Sequence, residues 1–219
     1  MRILREFGIG AACLGCYYLV RRLVWNERGR SRAARNAERV VAAEERLGLR
    51  IEPAVQQAAL RHRRLVDMLN VGYAVGNLTL SAGWLIVLHR RGSPAFIRER
   101  QAAVAAYAGA LPVFLAFPTA PPRSRDEVVD TLLDRGIDLD NRWLVRFYNP
   151  IAAMPSHHVA FAVVTGLGMA RFARNPLVRA FGVVYPAAVS LVVVATGNHY
   201  TADVIAGAAL GAAARVATR

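Results

Sequence analysis

The sequence contains no lysine, so all 28 of its basic residues are arginines. Acidic residues are also scarce: 15 aspartates and glutamates leave a formal net charge of +13. Such a charge is compatible with nucleic-acid binding. However, 55% of the residues are hydrophobic, against about 45–50% in soluble domains. We therefore attribute the arginine excess to cytoplasmic loops and to contact with anionic membrane lipids, and we expect no nucleic-acid partner.

Cysteine is nearly absent as well, with only Cys13 and Cys16 in the chain. A C-x-x-C pair can serve redox chemistry, but no βαβ pattern of a redox domain surrounds this one. Both residues lie inside an apolar stretch, where we expect them to face lipid or a neighbouring helix. The stretch lacks the A-x-A cleavage pattern of a signal peptide. We interpret residues 7–25 as a first transmembrane helix whose arginines reach the membrane surface.

The apolar residues come in blocks comparable to the roughly 20 residues that a membrane-spanning helix needs. They predict an all-α integral membrane protein, a six-transmembrane-helix bundle. The predicted spans are residues 7–25, 66–88, 101–117, 159–173, 177–195 and 201–216. Gly-x-x-x-Gly patterns at Gly72 and Gly76, and at Gly207 and Gly211, are typical of close helix contacts.

Residues 27–64, after the first span, are charged and alanine-rich and contain no apolar window of spanning length. Apolar residues recur there at spacings that suit an amphipathic helix. These residues are Val40, Leu47, Ile51 and Val55. We expect this segment to lie at the membrane surface.

Arginine counts in the loops predict the orientation of the spans, because cytoplasmic loops are enriched in basic residues. Residues 89–100 carry four arginines and one acid, whereas residues 118–155 carry five arginines and six acids. We therefore place residues 118–155 on the extracytoplasmic side of a multi-pass cell-membrane protein. One count disagrees: residues 27–64 would share that side with ten arginines and five acids. Either this segment lies flat on the membrane or the first stretch does not cross it.

Two short stretches at predicted outer ends of spans, residues 151–161 and 196–203, contain three of the five histidines. His199 and Asp203 are four residues apart, so they share one helix face, and the carboxylate can fix the imidazole tautomer and raise its basicity. His158 begins another helix, whose free N–H groups can bind phosphate. A histidine nucleophile and a histidine proton donor meet the needs of metal-independent phosphoester transfer. Nearby arginine would neutralise the phosphate charge.

Two other interpretations of these histidines remain open. They could be interfacial residues with ordinary hydrogen bonds, although two motifs on the same predicted side make this less attractive. They could also bind a metal through His157, His158, His199 and Asp203. Adjacent histidines diverge on a helix, which makes a closed metal site awkward, and we expect neither a metal nor another cofactor.

The two motifs resemble those of a known family. Met154-Pro155-Ser156-His157-His158 is similar to the P-S-x-H motif of the type 2 phosphatidic acid phosphatase superfamily, also called lipid phosphate phosphatases. His199-Tyr200-Thr201-Ala202-Asp203 is similar to its H-x-x-x-D motif. Further stretches resemble the branch that includes inositol phosphorylceramide synthases. They are Phe117-Pro118-Thr119-Ala120-Pro121-Pro122-Arg123, Val129-Asp130-Thr131, Asn149-Pro150-Ile151-Ala152-Ala153 and Thr196-Gly197-Asn198.

The resemblance implies a catalytic role for three residues. His199 would be the nucleophile that forms a phosphohistidine, Asp203 would orient it, and His158 would protonate the leaving group. Five further residues are expected to line or bind the substrate phosphate: Arg123, Ser156, His157, Asn198 and Arg146.

The chain departs from the superfamily pattern in its cationic residues. The K-x6-R-P motif is absent, as it must be without lysine, and Val193 stands where an arginine usually precedes the second histidine. Arg123 is the first candidate to replace them, followed by Arg142 and Arg146. This departure affects the expected substrate more than the expected reaction.

These observations predict a lipid phosphoester hydrolase or a headgroup phosphotransferase that acts on a lipid phosphate or phospholipid among the membrane lipids. The active site would face the extracytoplasmic side. Residues 1–65 would form the N-terminal membrane helix and interfacial segment, and residues 66–219 the transmembrane catalytic core. A non-catalytic lipid-binding protein with the same fold is the alternative. A transporter is disfavoured because the spans carry almost no polar residues at mid-membrane.

Overall fold

The computed structural model describes residues 2–141, 143–146 and 148–218. All the secondary-structure elements assigned within these residues are helices, which confirms the all-α class. Nine α-helices follow one another: α1 Arg2–Val24, α2 Glu27–Leu47, α3 Glu52–Leu60, α4 Arg63–Val71, α5 Asn77–Arg90, α6 Ala95–Ala116, α7 His157–Phe172, α8 Pro176–Ala195 and α9 Thr201–Ala217. A π-helical turn, Gly72–Gly76, joins α4 to α5 without a break.

Helix α7 is the centre of the bundle and packs against α5, α6, α8 and α9. Small residues on α9 let it approach α7 very closely. A Cβ atom on Gly207 would lie 2.4 Å from the Ser156 carbonyl oxygen, and one on Gly211 would lie 2.6 Å from that of Ala160. This close packing brings the first turns of α7 and α9 together.

The other glycine pair behaves differently from the expectation. A Cβ atom on Gly72 would meet only the Val192 side chain, at 3.9 Å, which is an ordinary contact. One on Gly76 would meet no neighbouring helix within 4 Å. These two glycines belong to the π-helical turn, which α8 contacts through the Val192 side chain and not through close backbone approach as at α9.

The amphipathic segment forms a helix, α2, but its apolar face packs on the protein. Ala37, Val40 and Val41 are buried against Tyr200. The carboxamide of Asn36 donates to the Pro118 carbonyl at 2.8 Å. Residues distant in sequence therefore cover this face, and the expected position of the segment at the membrane surface stays a prediction. Of the other residues in the pattern, Leu47 and Ile51 are exposed and Val55 lies on α3.

Among the described residues, three helical segments are long and apolar enough to cross a membrane: Leu4–Val24, Arg63–Arg90 and Pro176–Ala195. Helix α6 falls short because its first turns carry Arg98, Glu99 and Arg100. Helices α7 and α9 contain 16 and 17 residues, or roughly 25 Å at 1.5 Å per residue. That is less than the roughly 30 Å of a bilayer core. The six-span count therefore stays a prediction.

Candidate active site

A tight turn places His199 at the beginning of α9. Gly197 adopts a φ of 71°, and a Cβ atom there would lie 2.7 Å from the Val128 side chain, so this position requires glycine. One turn into the helix, Asp203 Oδ2 lies 3.4 Å from His199 Nδ1 and accepts a hydrogen bond from the Tyr200 N–H at 2.9 Å. The predicted pairing of His199 with Asp203 thus has a direct structural counterpart.

Burial determines the protonation state of His199, which is 4% exposed. Loss of hydration lowers the pKa of its imidazole to about 3, while a hydrogen bond with the Ala153 backbone opposes the shift. The ring is therefore neutral near pH 7. A proton on Nδ1, which faces the Asp203 carboxyl group, would leave the lone pair on Nε2.

His158 lies on the first turn of α7 and faces His199, with the two ring centroids 5.8 Å apart. Tyr73 stacks on the opposite side of the His158 ring at 4.6 Å. The Asn77 carboxamide donates to the His158 carbonyl at 2.8 Å and accepts from the Tyr185 hydroxyl at 2.6 Å. These contacts fix both the ring and the backbone of His158.

Arg123 brings a positive charge to the same place. Its Nη1 donates to Asn198 Oδ1 at 2.7 Å, and its Nε lies 3.3 Å from Asp130 Oδ2. Its backbone N–H donates to the Gly197 carbonyl at 2.8 Å. The guanidinium is therefore held beside the turn that carries His199.

These side chains meet at one cavity of about 300 Å³. Polar and aromatic groups that line it include Tyr17, Tyr73, Arg123, Tyr148, Asn149, His157, His158, Asn198 and His199. A cationic group, two facing histidines and several hydroxyl or amide groups thus share a space large enough for a phosphate with part of its headgroup.

His157 lines this cavity too, but its ring is held on the side away from His199. It packs among Tyr107, Phe114 and Phe161, with Nε2 3.3 Å from the Tyr107 carbonyl oxygen. The ring therefore forms part of the cavity wall and points toward α6. Among the described residues, no three histidine, cysteine or acidic side chains are arranged to hold a metal.

The remaining phosphate-binding candidates are placed differently. The Ser156 hydroxyl caps α7 by accepting from the Val159 N–H at 3.3 Å, and the side chain is fully buried outside the cavity lining. Arg146 is exposed and lies over the Trp143 ring at 4.6 Å. Arg142 lies outside the described residues. Of the candidate arginines that the structure describes, Arg123 alone lines the cavity.

Comparison with protein families accounts for this arrangement of histidines and arginine. The family model that matches the chain is described as the PAP2 superfamily and covers residues 38–217, which include both histidine motifs. The chain belongs to the PAP2 superfamily. Membership implies phosphatase-type chemistry on a phosphoester. Comparisons with curated proteins and with solved structures found no match.

The sequence analysis did not identify several polar groups that support this PAP2 site. Asn70 on α4, Tyr73 in the π-helical turn and Asn77 on α5 follow one another at spacings of three and four, inside an otherwise apolar stretch. Asn70 and Thr131 exchange hydrogen bonds of 3.0 and 2.7 Å, which anchor the strip next to Asp130. A polar stripe at spacing three and four within a span is the signal that could have identified these residues.

Helix α1 also contributes to the PAP2 site. The Tyr17 hydroxyl accepts from the Asn149 N–H at 2.5 Å, and Arg21 Nε donates to the Tyr148 carbonyl at 2.8 Å. Nothing local to residues 7–25 indicates these long-range contacts. They attach the first helix to the loop that precedes α7.

Proposed function

We propose that this PAP2 protein is a metal-independent lipid phosphoester hydrolase or headgroup phosphotransferase that works through a phosphohistidine on His199. The observation that carries the proposal is the His199–Asp203 pair facing His158 across a cavity that Arg123 also lines. A nucleophile, its orienting carboxylate, a proton donor and a phosphate-binding cation thus have one candidate residue each.

In the first step, His199 Nε2 attacks the phosphorus and a P–N bond forms. The bond from phosphorus to the leaving alcohol oxygen breaks, and His158, which must be protonated in the substrate complex, gives that oxygen its proton. Asp203 keeps the proton on His199 Nδ1 and stabilises the positive charge that develops on the ring. The Arg123 guanidinium neutralises charge on the non-bridging phosphate oxygens.

In the second step, an oxygen nucleophile attacks the phosphohistidine while neutral His158 removes its proton. The P–N bond breaks and His199 regains its lone pair. Water would release a phosphate product, as in a lipid phosphatase, whereas an alcohol would yield a new phosphoester, as in a headgroup transferase. Among the other predicted residues, Asn198 would orient Arg123, His157 would shape the cavity, and Ser156 would hold the start of α7.

One feature of the cavity favours transfer as the second outcome. Asn149, Asn198, Tyr17, Tyr73 and Tyr148 line it, so amide and phenol groups surround the histidines. Such groups can hold the hydroxyls of an alcohol acceptor. The sequence resemblance to inositol phosphorylceramide synthases agrees with a transferase of that branch.

We further propose that α1, α4 with α5, α6, α7, α8 and α9 form six spans with the active site on the extracytoplasmic side. The loop between α6 and α7, which carries more acids than arginines, contributes Arg123, Tyr148 and Asn149 to the cavity. Arginines cluster where α5 is followed by α6 and where α7 is followed by α8, on the helix ends and in the short connections, at the other ends of these helices. The bias of cytoplasmic loops toward arginine supports this orientation.

A substrate panel tests the proposal. Purified protein is incubated with lipid phosphates and with phosphodiester lipids, with and without EDTA, and free phosphate and new phospholipids are quantified separately. We expect turnover that EDTA leaves unchanged and that His199→Ala abolishes in a folded variant. Turnover lost to EDTA, or retained in His199→Ala, would contradict the mechanism. No turnover of any lipid, with binding retained, would instead support the non-catalytic lipid-binding alternative.

A further inference from the structure

The first turn of α9 is held by three buried carboxyl groups, of which the reaction above uses only that of Asp203. The other two, Glu44 and Glu52, come from α2 and α3. Glu44 is 1% exposed and Glu52 is 2% exposed, although acidic side chains are almost never fully buried without a partner. Their burial requires a specific partner, and that partner is the start of α9.

The three carboxyl groups accept hydrogen bonds from successive backbone N–H groups. Asp203 accepts from the Tyr200 N–H at 2.9 Å, Glu52 from the Thr201 N–H at 2.6 Å, and Glu44 from the Ala202 N–H at 2.6 Å. Glu52 also accepts from the Thr201 hydroxyl at 2.6 Å. The first N–H groups of a helix have no partner inside the helix and lie at the positive end of its dipole. A side-chain oxygen within reach therefore accepts from them.

This arrangement fixes the backbone that carries the reacting pair. The two peptide N–H groups that Glu52 and Glu44 hold, those of Thr201 and Ala202, lie between His199 and Asp203 in the chain. A shift of the turn by a fraction of an ångström would move the imidazole relative to His158. Reacting groups tolerate little misplacement, since an error of about 1 Å can cost about 100-fold in rate.

We infer that Glu44 and Glu52 are positioning residues for the His199–Asp203 pair, so that the α2–α3 segment is part of the catalytic apparatus. This inference rests on the proposed function for its kinetic consequence. The contacts themselves do not depend on that function. Both glutamates would act through the α9 backbone, and neither would touch the substrate.

Two variants of Glu44 separate the effect of side-chain length from the effect of charge. Glu44→Gln keeps an oxygen at the same reach and removes the charge, whereas Glu44→Asp keeps the charge on a side chain one methylene shorter. We expect Glu44→Gln to retain kcat within about threefold and Glu44→Asp to lose about 10-fold or more, with KM changed less than about threefold in both. Glu52→Gln and Glu52→Asp should repeat the pattern. Glu45→Ala is the control, because this neighbour on α2 is half exposed and pairs with Arg50.

Hydrogen–deuterium exchange at residues 199–204 provides a readout that does not require turnover. The inference predicts faster exchange there in both aspartate variants, and wild-type exchange in Glu45→Ala. Equal kcat and equal exchange in the glutamine and aspartate variants would overturn it, as would a greater loss in the glutamine variants. If wild-type protein turns over no lipid phosphoester, the proposed function fails, and the exchange result alone then supports or overturns the positioning role.

Discussion

Burial and hydrogen bonding change the ordinary chemistry of the residues at the candidate site. His199 would be partly protonated near neutral pH in water, but burial lowers its pKa to about 3 and leaves it a neutral base. Asp203 is completely buried and directs one oxygen to both the His199 ring and the Tyr200 N–H. The pair is therefore held in a defined orientation at the cavity that His199 lines.

Asp203→Asn tests the role of that carboxylate. The amide has the same shape but no negative charge, so it can neither ensure the Nδ1-protonated tautomer nor stabilise the imidazole cation. We expect kcat to fall by roughly 100- to 10,000-fold with a small change in KM, as for other carboxylate–histidine pairs. Asp134→Asn, on the exposed loop, should behave as wild type. An Asp203→Asn enzyme with undiminished kcat would remove Asp203 from the mechanism.

Glu44 predicts a pH dependence of stability. Burial raises the pKa of its carboxyl to about 7, with the Ala202 N–H opposing and the Glu52 and Asp203 charges reinforcing the shift. Between about pH 4.5 and 7 the unfolded chain loses this proton and the folded chain keeps it, so the contribution of Glu44 to stability falls as pH rises. Below about pH 4.5 the carboxyl group is protonated in both states, so it does not change the free energy of unfolding with pH.

The measurement for Glu44 is the thermal unfolding midpoint in detergent at several pH values. We expect Glu44→Gln to gain stability relative to wild type as the pH rises from 4.5 to 7. The difference in the free energy of unfolding should change by no more than about 3 kcal/mol, at about 1.4 kcal/mol per unit of pKa. A constant difference across this window would mean that Glu44 titrates normally.

At the scale of single residues, the sequence predicted what is local. His199 and Asp203 are one helical turn apart, and that spacing alone places them together. Ser156 shows the limit, because its hydroxyl caps α7 instead of lining the cavity. The roles of Glu44 and Glu52 depend on packing across about 150 residues of sequence, for which no local pattern exists.

At the scale of helices, close contact between α7 and α9 sets the geometry of the site. Gly207 lies against the Ser156 carbonyl, just before the helix that carries His158. A larger residue there would separate the two helix ends on which the histidines depend. The tight contact follows the Gly-x-x-x-Gly pattern at residues 207–211, whereas the same pattern at residues 72–76 forms a π-helical turn. Glycine spacing therefore indicates possible contact surfaces, and the surrounding helices decide which are used.

Gly207→Ala tests this contact. Its Cβ atom would lie 2.4 Å from a backbone oxygen that cannot move freely, and overpacking of this kind typically costs about 1–3 kcal/mol. We expect a lower unfolding midpoint and reduced turnover. Gly83→Ala is the matched control, because a Cβ on that helical glycine would meet nothing within 4 Å. If both variants unfold at the wild-type midpoint, the contact is not tight.

At the scale of the whole molecule, the site lies at one end of the bundle. Helices α7 and α9 begin there, and the loop between α6 and α7 closes around it. At the opposite end Arg98 at the start of α6 bonds the Thr218 carbonyl, just past α9, at 3.2 Å, and the Arg215 side chain pairs with Glu99 at 2.7 Å. Arginines near that end and the nearly balanced charge of the α6–α7 loop are the basis of the proposed orientation. The ten arginines of residues 27–64, which pack at the site end, count against it. The all-α class was predictable from apolar blocks, whereas the packing of α2 onto the core was not.

Cysteine labelling tests the orientation. In a background with Cys13 and Cys16 replaced by serine, Asp134→Cys marks the site end and Arg174→Cys the opposite end, and both positions are exposed. A membrane-impermeant maleimide should label Asp134→Cys in cells with an accessible outer membrane face, and Arg174→Cys only after permeabilisation. The reverse pattern would place the active site in the cytoplasm.

The central claim is that His199 carries the phosphoryl group during turnover, and trapping that intermediate tests it most directly. Protein quenched during turnover of a lipid labelled at phosphorus is digested, and the labelled peptide is sequenced. We predict acid-labile, alkali-stable label on His199 that is absent from His199→Ala. Label on another residue, or steady turnover with no label on His199 at any quench time, would contradict the mechanism.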